Sequence, residues 1–154
     1  MELVFILLVI ALDRFTKIWA FNHLYMNNNI VIIKGFFELS YLENRGAAWG
    51  ILQNQTIFLV VISLIIILGI VGFYIKYRPK SLMLRLSLSL IIGGALGNMY
   101  DRVFNKFVID FIYFHYNNVY SFPTFNVADM SVVVGTFLLA IYILRNEKDG
   151  KNSI

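Results

Sequence analysis

The sequence predicts an all-α membrane protein: four transmembrane helices with a small extracytoplasmic β-rich loop, all in one domain over residues 1–154. Three observations point that way. Of the 154 residues, 59% are hydrophobic and only 14% are charged, about half the charged share of a soluble domain. Mean hydropathy is +0.73. Four apolar runs have the length of a bilayer crossing, about 20 residues at about 1.5 Å rise per residue. No low-complexity segment, internal repeat or Pro/Gly/Ser linker divides the chain.

The first run, 3–21, is apolar for ten residues and then meets Asp13, Arg14 and Lys17 in "DRFTK". It reads as an uncleaved span, because Glu2 stands where a signal peptide has basic residues and no A-x-A-like site follows. The second, 56–75, carries no charge. The third, 84–100, contains glycines that allow close helix packing. The fourth, 127–144, is interrupted only by Asp129 at its mouth.

Charge in the connections sets the orientation. The 76–85 loop holds Lys76, Arg78, Lys80 and Arg85 with no acid, and Arg145, Lys148 and Lys151 follow the fourth span. The other two loops, about 22–55 and 101–126, each carry two basic and two acidic residues. Both termini and the 76–85 loop are therefore expected in the cytoplasm. The net charge of +4 is then a topology signal, and no nucleic-acid partner is expected. Residues 30–43, rich in β-branched and aromatic side chains, read as short strands leading to the turn-like "NRGAAWG". Trp19 and Trp49 fit interfacial anchors. With no cysteine, thiol chemistry, disulfides and thiolate metal sites are out.

This topology gathers polar groups at the outer ends of three spans. Asp13, Arg14 and Lys17 lie on the first, Asn98, Asp101 and Arg102 on the third, and Asn126 and Asp129 on the fourth. Asp110 lies between the third and fourth. Asp13 with Lys17, and Asn98 with Arg102, share helix faces at i, i+4. Plainer roles exist for most of them. Asp13–Lys17 reads equally as an ion pair that fixes the helix, Arg102 as a headgroup anchor, and Asn126 as an N-cap with Asp129 favoured by the helix dipole. Asp110, flanked by "FVI" and "FIYF", has no local partner. A lone acid in an apolar strand-like run is usually paired or titrates abnormally.

The two histidines, His23 and His115, form no metal-binding pattern, and no metal or cofactor is expected. A Ser–Lys dyad stays open, since Lys17 and several serines are present. The better-placed pair is Asp110 with Asp129: of two close carboxyls, one holds a proton while the other is a base. Such a pair can activate water against an amide. A proton or cation transporter is the rival class, but it needs charges near mid-bilayer, and the inner halves of these spans are nearly free of charge. Binding of another membrane protein by the acids is a third reading.

Five segments in order, "DRFTK", "ENRGAAWG", "GGALGNMYDR", "VIDF" and "FNVAD", resemble those of the lipoprotein signal peptidase (signal peptidase II) family, over nearly the whole chain. The resemblance implies a bacterial cytoplasmic-membrane aspartic endopeptidase. Such an enzyme cuts diacylglyceryl-modified prolipoproteins on the amino side of the lipidated cysteine. It implies Asp110 and Asp129 as the catalytic pair, with Asn44, Asn98, Arg102, Asn126, Asp13 and Lys17 as a polar shell. Arg102 and the asparagines would hold the substrate backbone, while Asp13 and Lys17 would support the structure. The expected partners are lipidated substrates and membrane lipids, with the enzyme a monomer. Loop 30–50 is expected to form a cradle over the site.

Overall fold

The computed structural model describes residues 1–26, 28–47, 51–117 and 119–148. Trp49 and Lys151 lie outside them, as does the end of the "NRGAAWG" stretch. Chain order is α1 (Glu2–Leu24), β1 (Ile30–Ile33), β2 (Phe37–Asn44), α2 (Thr56–Tyr77), α3 (Leu82–Phe104), β3 (Val108–Tyr116), β4 (Tyr120–Ser121) and α4 (Val127–Lys148).

Three helices, α2, α3 and α4, are long and apolar enough to cross a membrane. The fourth, α1, has 23 residues but carries the charges of "DRFTK". Its polar and apolar residues separate by face. Asp13 and Lys17 are wholly buried, whereas Leu3, Leu7, Leu8, Leu12, Phe15 and Ile18 are exposed. A surface that hides charge and displays leucine is inverted relative to that of a soluble protein.

Helix α3 is the hub and packs against α1, α2 and α4. Small residues make this possible. A Cβ on Gly135 would lie 2.8 Å from the backbone oxygen of Ser87, and one on Gly93 would lie 2.9 Å from Val9 Cβ. Helix α2 is peripheral, with only Ile67 buried. It ends at Arg78 in the left-handed region, φ 48°, whose N–H donates to the Tyr74 carbonyl. Pro79 then forbids continuation.

The strands form one antiparallel sheet in the order β1-β2-β3-β4. The strands expected in 30–43 are β1 and β2. The run around Asp110 becomes the longest strand, β3, and pairs along β2 with Leu42 opposite Asp110 and Asn44 opposite Val108. The register shifts between Leu39 and Leu42, a bulge that bends β2. The sheet docks on the end of α1 through Ala20, Leu24 and Phe111, with Trp19, Leu39, Tyr41, Ile112 and Val127 around them. Trp19 is thus half-buried in a core as well as stacked on His23 at 5.1 Å. Helices α1 and α3 run past the ends of their predicted spans, to Leu24 and Phe104. In α3 the reason is Asp101: it is completely buried and is held in the helix by partners on α1.

Candidate active site

The middle of α1, the end of β2, the end of α3, the start of β3 and the start of α4 meet in one region of the molecule. There the eight predicted site residues come together, in two adjoining groups.

The first group surrounds the two carboxyls. Asp110, on β3, is 1% exposed. Its Oδ2 accepts from Asn44 Nδ2 at 2.9 Å and its Oδ1 from Asn126 Nδ2 at 2.6 Å. Asn44 reaches it because β2 and β3 are paired here. Asp129 sits in the first turn of α4 and accepts at Oδ1 from Asn98 Nδ2, 2.7 Å. Its Oδ2 accepts from the backbone N–H of Asn126 at 3.2 Å, while Asn126 Oδ1 accepts from the Asp129 N–H at 2.9 Å. That reciprocal pair is a capping box. Asn126 therefore starts α4, the cap its sequence position suggested, and its amide nitrogen also binds Asp110. One residue is hydrogen-bonded to both carboxyls.

Burial pushes the Asp110 carboxyl up to about 7, with the negative charge of Asp129 adding to it and the bonds from Asn44 and Asn126 opposing. Among the described residues neither Asp110 nor Asp129 lies in an ion pair. Arg102 is near but engaged: its Nη2 donates to the Gly46 carbonyl at 3.0 Å, and its Nη1 reaches the Asn98 carbonyl at 3.5 Å. It thus holds a peptide carbonyl of the segment after β2. The N–H of that same Gly46 donates to Asn44 Oδ1 at 2.9 Å. Beside Asn44 an open cavity of about 370 Å³ is lined by Leu42, Ala47, Tyr113, Phe122 and Thr124 among others.

The second group lies behind the first. The ammonium of Lys17, 0% exposed, contacts Asp13 Oδ2 at 2.9 Å, Asp101 Oδ2 at 2.8 Å and Asn98 Oδ1 at 3.0 Å. Two carboxylates and an amide oxygen enclose the buried amine as a cation, which leaves the Ser–Lys alternative without a free base. Asp13 Oδ1 also accepts from the Ala128 N–H at 3.0 Å, so α1 supplies a cap for α4. Arg14 pairs with Asp101 and lies over the Tyr100 ring, 4.6 Å from its centroid. Asp13, Lys17, Asp101 and Arg14 form a neutral quartet.

Asp101 and Arg14 are the functional-looking residues that sequence reasoning placed near the site but left out of it. The signal was there: a carboxylate at the bilayer edge, one residue before Arg102. Its partners are on another helix, and an acid beside an arginine reads locally as a surface pair. Among the described residues, no group of three or more His, Cys, Asp or Glu is arranged to hold a metal ion.

Residues 5–145 match the family described as Signal peptidase (SPase) II. The lipoprotein signal peptidase of Clostridium novyi (strain NT) is 54% identical over 148 residues, covering 96% of this chain and 100% of that protein. That of Clostridium acetobutylicum is 52% identical over 153 residues, covering 98% and 99%. A solved structure titled "Bacterial membrane enzyme structure by the in meso method at 2.3 A resolution" superposes with a TM-score of 0.88. It is 33% identical and covers 99% of this chain and 93% of its own.

Proposed function

The chain belongs to the signal peptidase II family, and from that premise we infer that it is a lipoprotein signal peptidase whose peptide-bond hydrolysis is carried out by Asp110 and Asp129. The observation that carries this reading is the shared residue between them. Asn126 bonds both carboxyls, in a buried site where no cation among the described residues is paired to either. Two acids held this way favour the state in which one is protonated and one is ionised.

The chemistry follows. One carboxyl carries the proton and the other is the base; in this reading Asp110 is the acid and Asp129 the base. Asp129 takes a proton from water as the water oxygen attacks the scissile carbonyl carbon. Asp110 gives its proton to the carbonyl oxygen, producing a tetrahedral diol. On collapse Asp110 takes back a proton from a diol hydroxyl as the C=O bond re-forms, the C–N bond breaks, and Asp129 gives its proton to the leaving nitrogen. The products are the carboxylate end of the signal peptide and the free amine of the diacylglyceryl-modified cysteine. No covalent enzyme intermediate is needed.

The setting supports the same reading. Lipid-facing residues of α1 and its buried charges are consistent with a fourth span. The basic 76–85 loop supports cytoplasmic termini, with the site near the extracytoplasmic face of the bacterial membrane. A substrate anchored there by its lipid presents its cleavage bond at that depth. Asn44, at the end of β2, links the 30–50 segment to Asp110, which supports a cradle role for that segment, and Arg102 already holds one peptide carbonyl. The enzyme works as a monomer in this reading, since all eight site residues come from one chain.

The test uses purified protein, a diacylglyceryl-modified precursor and its unlipidated twin. Asp110→Asn and Asp129→Asn should each lower cleavage by at least about 10³-fold with the precursor still bound. Either variant processing the lipidated precursor near the wild-type rate removes the assignment, and equal cleavage of both substrates removes the specificity.

A further inference from the structure

We propose that Lys17 is a positioning residue for Asp129, acting through the side-chain amide of Asn98. This rests on the assignment of Asp110 and Asp129 above. Lys17 touches neither acid. Its ammonium can only donate, so the Asn98 atom that faces it at 3.0 Å is the oxygen. Asn126 Nδ2 donates to that same oxygen at 3.2 Å. The Asn98 nitrogen is thereby turned to Asp129 Oδ1 at 2.7 Å. Reversed, the amide would set NH₂ against an ammonium and oxygen against a carboxylate, two repulsive contacts in a buried site.

Lys17 is held in this place by the carboxylates of Asp13 and Asp101, which lie 2.9 and 2.8 Å from its ammonium. The charged groups that face Asp129 are Asp110 on β3, Arg102 on α3 and Lys17 on α1, with Asp13 and Asp101 behind Lys17. The Asn98 N–H fixes the orientation of the Asp129 carboxyl, the group that takes a proton from water, and an N–H donor is a better partner for a carboxylate than for a carboxylic acid. In this arrangement α1 determines which face of an amide on α3 is offered to an acid on α4.

The experiment measures kcat and KM for the diacylglyceryl-modified precursor across pH, with thermal midpoints, on the purified full chain. The variants are Lys17→Met, Asn98→Leu and the double variant. Lys17→Met and Asn98→Leu should each lower kcat about 10–100-fold with KM within about twofold. Each should move the acid limb of the kcat profile up by about one pH unit. The double variant should be no worse in kcat than Asn98→Leu by more than about twofold, because the two act in series. A lowered thermal midpoint with kcat and the acid limb unchanged would make Lys17 purely structural and overturn the proposal, as would multiplicative losses in the double variant. Should Lys17→Met not fold, an unmoved limb in Asn98→Leu overturns it equally. Asp129→Asn is run alongside: full cleavage there would sink the active-site assignment itself, whereas loss there with a normal limb in Lys17→Met sinks only the role given to Lys17.

Discussion

Two groups of buried carboxylates stand side by side in this protein, and they are treated differently. Asp13 and Asp101 are paired with Lys17 and Arg14, two cations for two anions. Among the described residues, the hydrogen-bond donors to Asp110 and Asp129 are neutral: Asn44, Asn98, Asn126 and a backbone N–H. A carboxylate in contact with a buried cation cannot be removed without leaving that cation unpaired. An amide-bound carboxylate keeps both protonation states within reach. The choice of partner therefore separates acids that hold the bundle together from acids able to move a proton.

Removing one member of the paired group should have the largest effect on stability. Asp101→Ala leaves Arg14 and Lys17 with one anion too few. It should cost about 3–5 kcal/mol, read as a lowered thermal midpoint or loss of folded protein in detergent; a midpoint within a degree of wild type would mean the quartet is not structural. Asp110→Asn should act in the opposite sense. The carboxyl is raised to about 7 from an ordinary 3.8, so between those values the folded state holds a proton that the unfolded state has lost. Stability then falls as pH rises through that window. The asparagine variant should lack that fall, so its midpoint relative to wild type should rise between about pH 4 and about pH 8; parallel melting curves across pH would contradict this. Gly97→Ala should cost about 1–3 kcal/mol, since its Cβ would lie 2.7 Å from Asp13 Oδ2. Thermal unfolding checks it, and a neutral result would show that α1 and α3 can part freely. At the small end, Arg45→Ala removes an exposed pair with Glu43 at 3.1 Å. It should change stability by under about 0.5 kcal/mol, which serves as the baseline for the other measurements.

Much of this contrast was legible in the sequence, for a physical reason. In a chain this apolar, every charge inside or beside a span needs an explanation, so Asp13, Lys17, Asp110 and Asp129 announce themselves. Spacing supplied the helix faces, and the loop charges supplied an orientation. Pairing between distant segments was not legible. That Asn44 meets Asp110 depends on the β2–β3 register, and the hydrophobic pattern of 108–116 gives a strand without naming its neighbour. Asp101 was passed over for the same reason: its decisive partner, Lys17, sits on another helix. Asn126 offered a choice between helix cap and site residue that the structure dissolves, because its backbone and amide oxygen make the cap while its amide nitrogen binds Asp110.

Asn126 has only so many hands, and here all are taken. Its side-chain nitrogen serves Asp110 and Asn98, its oxygen holds the Asp129 N–H, and its own N–H holds the Asp129 carboxyl. A proton arriving at or leaving either acid must therefore be felt at the joint from which the last helix springs. The proton transfer proposed for the two acids and the anchoring of α4 share one pivot, so a substitution at Asn126 should disturb both.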